Sequence, residues 1–172
     1  ARLEMGGAEV LWDERELPRE RWTDSGPSIC ELLYRSGSGL TPRPLKRIAS
    51  GGELSRVLLS AKVVMGSADH AGTLVFDEVD AGVGGATARS LATVLADLAK
   101  THQVIVVTHL AQVAVVADAH YVVRKADTGS GIPETSLVPV EGDERVAEIA
   151  RMLSGDSSPE SLAHARAMLE SL

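Results

Sequence analysis

Thr73-Leu74-Val75-Phe76-Asp77-Glu78 places four strand-forming residues directly before two acidic ones. A similar stretch follows later, where Val104-Ile105-Val106-Val107 leads into Thr108-His109. Short continuous apolar runs of this kind are typical of parallel strands that are covered on both faces. Between the two runs, one helix face is formed by Leu91, Val94, Leu95 and Leu98. This alternation predicts an α/β domain with a mostly parallel sheet flanked by helices.

The polar residues that end the two runs are the first candidates for chemistry, because open α/β sheets bind ligands at the carboxyl ends of their strands. In phosphoryl transfer one carboxylate supports Mg²⁺ while its neighbour orients the attacking water, which predicts a metal role for Asp77 and a catalytic role for Glu78. His109, at the parallel position, is a candidate donor to the γ-phosphate. The alternatives are that two acidic residues open a solvated loop and that His109 is an incidental polar terminus.

Ser50-Gly51-Gly52-Glu53 begins a helical pattern upstream of the first run. As a capping box, Ser50 would bond the third helical N–H and Glu53 would reach back to the cap. That interpretation leaves the two glycines unexplained, since each costs up to about 1 kcal/mol relative to alanine inside a helix. A helix N-terminus suits a phosphate, and glycines let a ligand approach its backbone. We therefore predict that Ser50, Gly51, Gly52 and Glu53 bind nucleotide, with capping as the alternative. The apolar face of this helix is predicted at Leu54, Val57, Leu58, Ala61 and Met65.

The loop after Glu78 contains Asp80 and the glycines Gly82, Gly84 and Gly85. This composition predicts a mobile segment that is open to a partner surface. Cys30, the sole cysteine, lies in a strand-like segment without a basic neighbour to activate it, and is predicted to be a core residue.

The bulk composition fits one globular domain of 172 residues, of which 44% are hydrophobic and only 3% aromatic. A single cysteine excludes an internal disulfide and favours the reducing cytoplasm. No apolar run reaches the 18 or so residues that a membrane span needs. The net charge of −7 does not favour binding of nucleic acid by this chain alone. We expect residues 1–44 to form a strand-and-turn lead-in, 45–125 to carry the motifs, and 126–172 to add strands and helices.

One motif of nucleotide-binding proteins is absent from the sequence. No G-x-x-x-x-G-K-[ST] phosphate loop occurs, and no lysine follows a glycine. The chain is therefore expected to be an excised or processed part of a nucleotide-binding unit, inactive by itself. We expect the missing loop to be supplied by another segment.

The motif blocks resemble the RecN family of bacterial DNA repair proteins, which are SMC-like ABC ATPases. The resemblance rests on Ile48–Arg56, Phe76–Gly85 and Val107–Leu110. It implies the C-terminal lobe of an ABC/SMC-type P-loop ATPase head, with ATP and Mg²⁺ sandwiched between two heads. It further implies that Ser50, Gly51 and Gly52 serve the nucleotide of the opposite head, whereas Asp77, Glu78 and His109 serve their own. Asp80 would lie on the dimer seam among the nucleotide-binding residues.

The resemblance also implies partners and a location. These are the N-terminal half of the same head, a second head in an ATP-dependent dimer, and DNA, in the cytoplasm at the nucleoid and without a membrane. The implied activity is ATP hydrolysis in double-strand break repair and recombination. Alternatives are another SMC-like chromosome or recombination ATPase, a module that has lost its nucleotide, and the nucleotide-binding domain of an ABC transporter. Transporters usually carry glutamine at the position of Glu53.

Overall fold

The N-terminal part of the chain is an antiparallel sheet. The computed structural model describes residues 5–48, 51–65, 71–127 and 133–171. The sheet contains β1 (Glu9–Glu16), β2 (Ser28–Arg35) and the short β3 (Arg43–Pro44), in that order. This part of the chain thus consists of strands and turns, but the core assignment of Cys30 is wrong. Cys30 is exposed and lies opposite Glu14, two pairs along from the exposed Trp12–Leu32 pair and therefore on the same face, so this face of the sheet is open.

The central part alternates helix and strand as the apolar pattern predicts. Helix α1 (Gly51–Met65) precedes β4 (Thr73–Phe76), and α2 (Gly85–Ala99) connects β4 to β5 (Gln103–Val106). The two strands pair in parallel, from Thr73 opposite Gln103 to Phe76 opposite Val106. The predicted face of α2 is buried along its whole length and packs with β4 into one core. A parallel pair joined by a helix is the basic unit of an α/β fold.

Only one face of this parallel pair is covered, so the prediction of strands buried on both faces is wrong within the described structure. Leu74 and Phe76 are buried against α2, whereas Val75 is 66% exposed and Ile105 is 46% exposed. Side chains alternate between the faces of a strand. The sequence has apolar residues at consecutive positions of both strands. The uncovered face is therefore apolar as well as the covered one.

Helix α1 buries only part of the face that its apolar residues predict. Val57 and Leu59 are buried, whereas Leu58 and Met65 are about half exposed. Polar side chains explain the orientation. Ser55 and Arg56 hydrogen-bond to the backbone that follows β4, and they hold that side of the helix inward.

The C-terminal part is an antiparallel hairpin followed by two helices. After the short α3 (Ala111–Ala114), β6 (His120–Asp127) pairs with β7 (Pro133–Val140) in antiparallel register. Helices α4 (Gly142–Ser154) and α5 (Pro159–Glu170) pack with α3 into a second core. Gly155, at φ 78°, adopts the left-handed conformation that ends α4. The stretch Gly129–Gly131 has a glycine-rich composition that predicts a turn between β6 and β7, and it lies outside the described residues.

The α/β class is confirmed, but the sheet pairing differs from the predicted mostly parallel sheet. Among the described strands, β4 and β5 form the one parallel pair, and the other five pair antiparallel in two further sheets. Across the described ranges, no helix combines the length and apolar character that a membrane crossing requires.

Candidate functional site

The candidate site lies where β4 and β5 end. The backbone N–H of Val107 donates to the carbonyl of Phe76 at 2.9 Å, which extends the parallel pairing one step past the strands. Asp77-Glu78 and Thr108-His109 therefore leave the sheet side by side at its carboxyl edge, where α/β folds place ligands. The side chains of Asp77, Glu78 and His109 are exposed, and that of His109 is 72% exposed. The sequence thus places these three residues correctly.

Glu78 has an unusual backbone conformation. Its φ is 55°, in the left-handed region that residues other than glycine seldom adopt. Ala81 donates its N–H to the Glu78 carbonyl at 3.0 Å, so a tight turn directly after the strand fixes this conformation. Backbone strain of this kind is concentrated at functional sites, where surrounding structure maintains it. The Glu78 carboxylate lies beside the start of α1, where a Cβ at Gly51 would come within 2.6 Å of Oε2.

Asp80 is buried beneath the exposed residues. Its side chain is only 3% exposed, and one oxygen, Oδ2, contacts three groups. The Thr108 hydroxyl donates to it at 2.5 Å, the His109 backbone N–H at 3.0 Å, and His109 Nδ1 lies 3.1 Å away. The Thr108 hydroxyl in turn accepts from the N–H of Leu110 at 3.0 Å. The prediction of a mobile, open segment is therefore wrong at Asp80, which links the two strand ends; a role in nucleotide binding stays a prediction.

The start of α1 is attached to this same turn. Ser55 donates to the Asp77 carbonyl at 2.8 Å, and Arg56 donates to the carbonyl groups of Val79 and Ala81 at 3.3 and 2.7 Å. A Cβ at Gly52 would lie 2.6 Å from the Ala81 Cβ and 2.7 Å from the Glu78 carbonyl oxygen. This close approach is a reason for glycine that the sequence did not reveal. Ser50 lies outside the described residues, so its predicted role remains a prediction.

Glu53 faces β2. The Tyr34 hydroxyl donates to Glu53 Oε1 at 2.9 Å, and Tyr34 is almost fully buried. Burial, together with this hydrogen bond, raises the pKa of Tyr34 to about 12. Tyr34 therefore stays a neutral donor at physiological pH and connects the N-terminal sheet to α1. Its only sequence signal is an aromatic hydroxyl near the end of a strand, which is too common to identify it.

The basic residues around α1 have partners within the chain. Arg56 is directed to backbone carbonyl groups, and Lys46 pairs with Glu31 at 2.6 Å. Both side chains are therefore engaged in contacts within the chain.

The described residues contain no cluster of three His, Cys, Asp or Glu side chains that could enclose a metal ion. Mg²⁺ in nucleotide sites in general keeps several waters and takes one or two carboxylates together with substrate phosphates. Asp77 supplies an exposed carboxylate at the strand end. The edge thus has two carboxylates and an imidazole at neighbouring strand ends.

Comparison with known proteins finds similar curated proteins and similar solved structures. No family model matches the chain. The DNA repair protein RecN of Treponema pallidum is 46% identical over 162 residues, which is 94% of this chain and 28% of that protein. RecN of Streptomyces coelicolor is 47% identical over 169 residues, which is 98% of this chain and again 28% of the relative. The chain thus spans just over a quarter of the length of these curated relatives.

Among solved structures, an Smc head domain with a coiled coil and joint from Pyrococcus yayanosii matches 99% of this chain and 26% of its own. The TM-score is 0.57 at 19% sequence identity. At this identity the likeness concerns the fold, which is that of part of an SMC ATPase head.

Proposed function

We infer that this chain is the C-terminal part of the ATPase head of a RecN-type, SMC-like DNA repair protein. The premise is its 46–47% identity to two RecN proteins over nearly its whole length. The single structural observation that supports the function is the shared edge at which Asp77, Glu78 and His109 leave adjacent parallel strands. We propose that the complete protein hydrolyses ATP with Mg²⁺ during double-strand break repair and recombination.

In the proposed reaction each residue acts through its position at this edge. Asp77 would hold the Mg²⁺ that accompanies the nucleotide, and the Glu78 carboxylate would orient and polarise a water in line with the γ-phosphate. His109 lies on the neighbouring strand end, also facing the solvent from which the nucleotide enters. The fixed backbone of Glu78 supports this role, because a positioned base must keep its geometry through the reaction.

The proposed site is shared between protein segments. The chain has no phosphate loop of its own, so the N-terminal half of the head supplies the phosphate cradle. The helix start at Ser50, Gly51 and Gly52 serves the nucleotide bound by a second head. DNA is the partner of the complete protein, which acts in the cytoplasm at the nucleoid.

The test uses the full-length protein that contains this chain. Replacing Glu78 by Gln keeps the side-chain size but removes the carboxylate, so Mg-ATP binding should persist while turnover falls about 100- to 10,000-fold. Asp77→Asn should instead weaken Mg²⁺-dependent nucleotide binding. Fluorescent-nucleotide titration measures binding, and phosphate release measures turnover.

The matched control is Glu134→Gln, which makes the same chemical change at an exposed position on β7. It should turn over like wild type. Turnover of Glu78→Gln within a few-fold of wild type would assign the general base to another residue.

A further inference from the structure

The contacts of Asp80 constrain the ring of His109. Oδ2 of Asp80 lies 3.0 Å from the backbone nitrogen of His109 and 3.1 Å from its Nδ1. The backbone group is always a donor, and the Thr108 hydroxyl also donates to this oxygen. An oxygen that already receives two hydrogen bonds acts as an acceptor toward the ring. At 3.1 Å this contact favours a proton on Nδ1, because an unprotonated Nδ1 would bring its lone pair close to those of the acceptor oxygen.

The same contact determines whether the other ring nitrogen, Nε2, carries a proton. A neutral imidazole has one proton, so a proton on Nδ1 leaves Nε2 with a lone pair. The His109 side chain is 72% exposed while the Asp80 side chain is 3% exposed. The buried carboxylate thus anchors one side of the ring and leaves the rest of the imidazole accessible at the strand edge.

We propose that Asp80 is a positioning residue for His109, which fixes the ring as the Nδ1–H tautomer and presents Nε2 to the site as a hydrogen-bond acceptor. Asp80 touches neither substrate nor metal in this role and acts only through the histidine. The sequence predicted His109 as a donor to the γ-phosphate. In the neutral ring the one N–H donor is Nδ1–H, and it faces Asp80.

This inference rests on the proposed function for its catalytic meaning. As an acceptor, Nε2 of the neutral ring would receive a hydrogen bond from a water molecule, and so would orient water rather than bind phosphate oxygen. It would donate to a phosphate oxygen only as the imidazolium, in which both nitrogens carry protons.

The tautomer can be measured directly by ¹⁵N NMR of the imidazole in this 172-residue chain. The spectrum is taken at the alkaline end of the histidine titration, where the shifts no longer change with pH. His109 is assigned as the resonance lost in His109→Gln. The expected result is a protonated, pyrrole-type Nδ1 and a pyridine-type Nε2. No nucleotide is present, so the result does not depend on whether the complete head hydrolyses ATP.

Two variants of Asp80 separate positioning from general structural support. Asp80→Ala removes the acceptor, so His109 should lose its single tautomer and show a mixture of both. Asp80→Asn should retain the Nδ1–H form, because the backbone N–H of His109 selects the amide oxygen for the position of Oδ2. Thr108→Val removes one donor to Asp80 and should leave the tautomer unchanged.

A wild-type spectrum with the proton on Nε2 would overturn the proposal, and this measurement needs no variant to fold. An unchanged Nδ1–H tautomer in folded Asp80→Ala would also overturn it, since Asp80 would then not control the ring. Far-UV circular dichroism establishes that each variant is folded.

Discussion

Gly52 lies where α1 comes closest to the backbone that follows β4. A methyl group there would lie 2.6 Å from the Ala81 Cβ and 2.7 Å from the Glu78 carbonyl oxygen, so the helix or the turn would have to shift. Overpacking of this kind costs about 1–3 kcal/mol. We therefore expect Gly52→Ala to lower the free energy of unfolding by that amount, measured by urea denaturation followed by circular dichroism.

The matched control is Gly51→Ala, one residue earlier in the same helical turn. A Cβ at Gly51 would meet the Glu78 carboxylate at 2.6 Å, which is the far end of a flexible side chain that can move aside. Removing a helical glycine otherwise stabilises by up to about 1 kcal/mol. Gly51→Ala should thus match or exceed wild-type stability. Equal losses at both positions would mean that the close contact does not explain Gly52.

At the residue scale, the sequence identified the groups that end the strands but not the contacts that hold them. Asp77, Glu78 and His109 were predictable because an apolar run followed by a polar residue is a local pattern. The burial of Asp80 was not, since it depends on Thr108 and His109, 28 and 29 residues along the chain. The bond between Tyr34 and Glu53 likewise joins two elements that are distant in sequence.

Arg145 connects two helices of the C-terminal part. From α4, its Nη2 donates to the carbonyl groups of Ala114, Val115 and Ala117 at the end of α3, at 3.4, 3.0 and 2.6 Å. Hydrogen bonds to charged groups contribute about 1.5–3 kcal/mol, and an Nε without a partner among the described residues offsets part of this. We expect Arg145→Met, which keeps most of the side-chain length, to cost about 1.5–3 kcal/mol in urea unfolding.

Arg166→Met provides the comparison for Arg145→Met. Arg166 pairs with Asp143 at 3.1 Å, but both side chains are largely exposed, and such pairs contribute at most about 1 kcal/mol. If the two variants lose the same stability, the buried carbonyl contacts of Arg145 add nothing beyond a surface charge.

At the element scale, the sequence predicts what depends on local periodicity. The strand β4, the buried face of α2 and the break at Gly155 all agree with the pattern. Sheet pairing was not predictable, because the choice between parallel and antiparallel neighbours depends on long-range contacts. The buried face of α1 was predicted only in part, since polar side chains, Ser55 and Arg56, determine its orientation.

For the whole molecule, we expect that this chain alone does not bind Mg-ATP with micromolar affinity. Its sequence contains no phosphate loop, whose backbone N–H groups and lysine supply most of the phosphate contacts. Isothermal titration calorimetry with Mg-ATP should give no saturable heat in the micromolar range. The same titration of a longer protein that includes the phosphate loop is the control and should saturate. Micromolar binding by the chain alone would contradict the proposed sharing of the site between segments.

The positions of the tryptophans determine which part of the molecule intrinsic fluorescence monitors. The sequence has two, Trp12 and Trp22, and both lie in the N-terminal sheet region with 64% and 51% exposure. The α/β core contributes Phe76 as its one buried aromatic side chain among the described residues. Intrinsic fluorescence will therefore report on the first 35 residues or so and give little signal when the core melts. Because both indoles face the solvent, we expect an emission maximum that is already red-shifted in the native state. Unfolding should change it little.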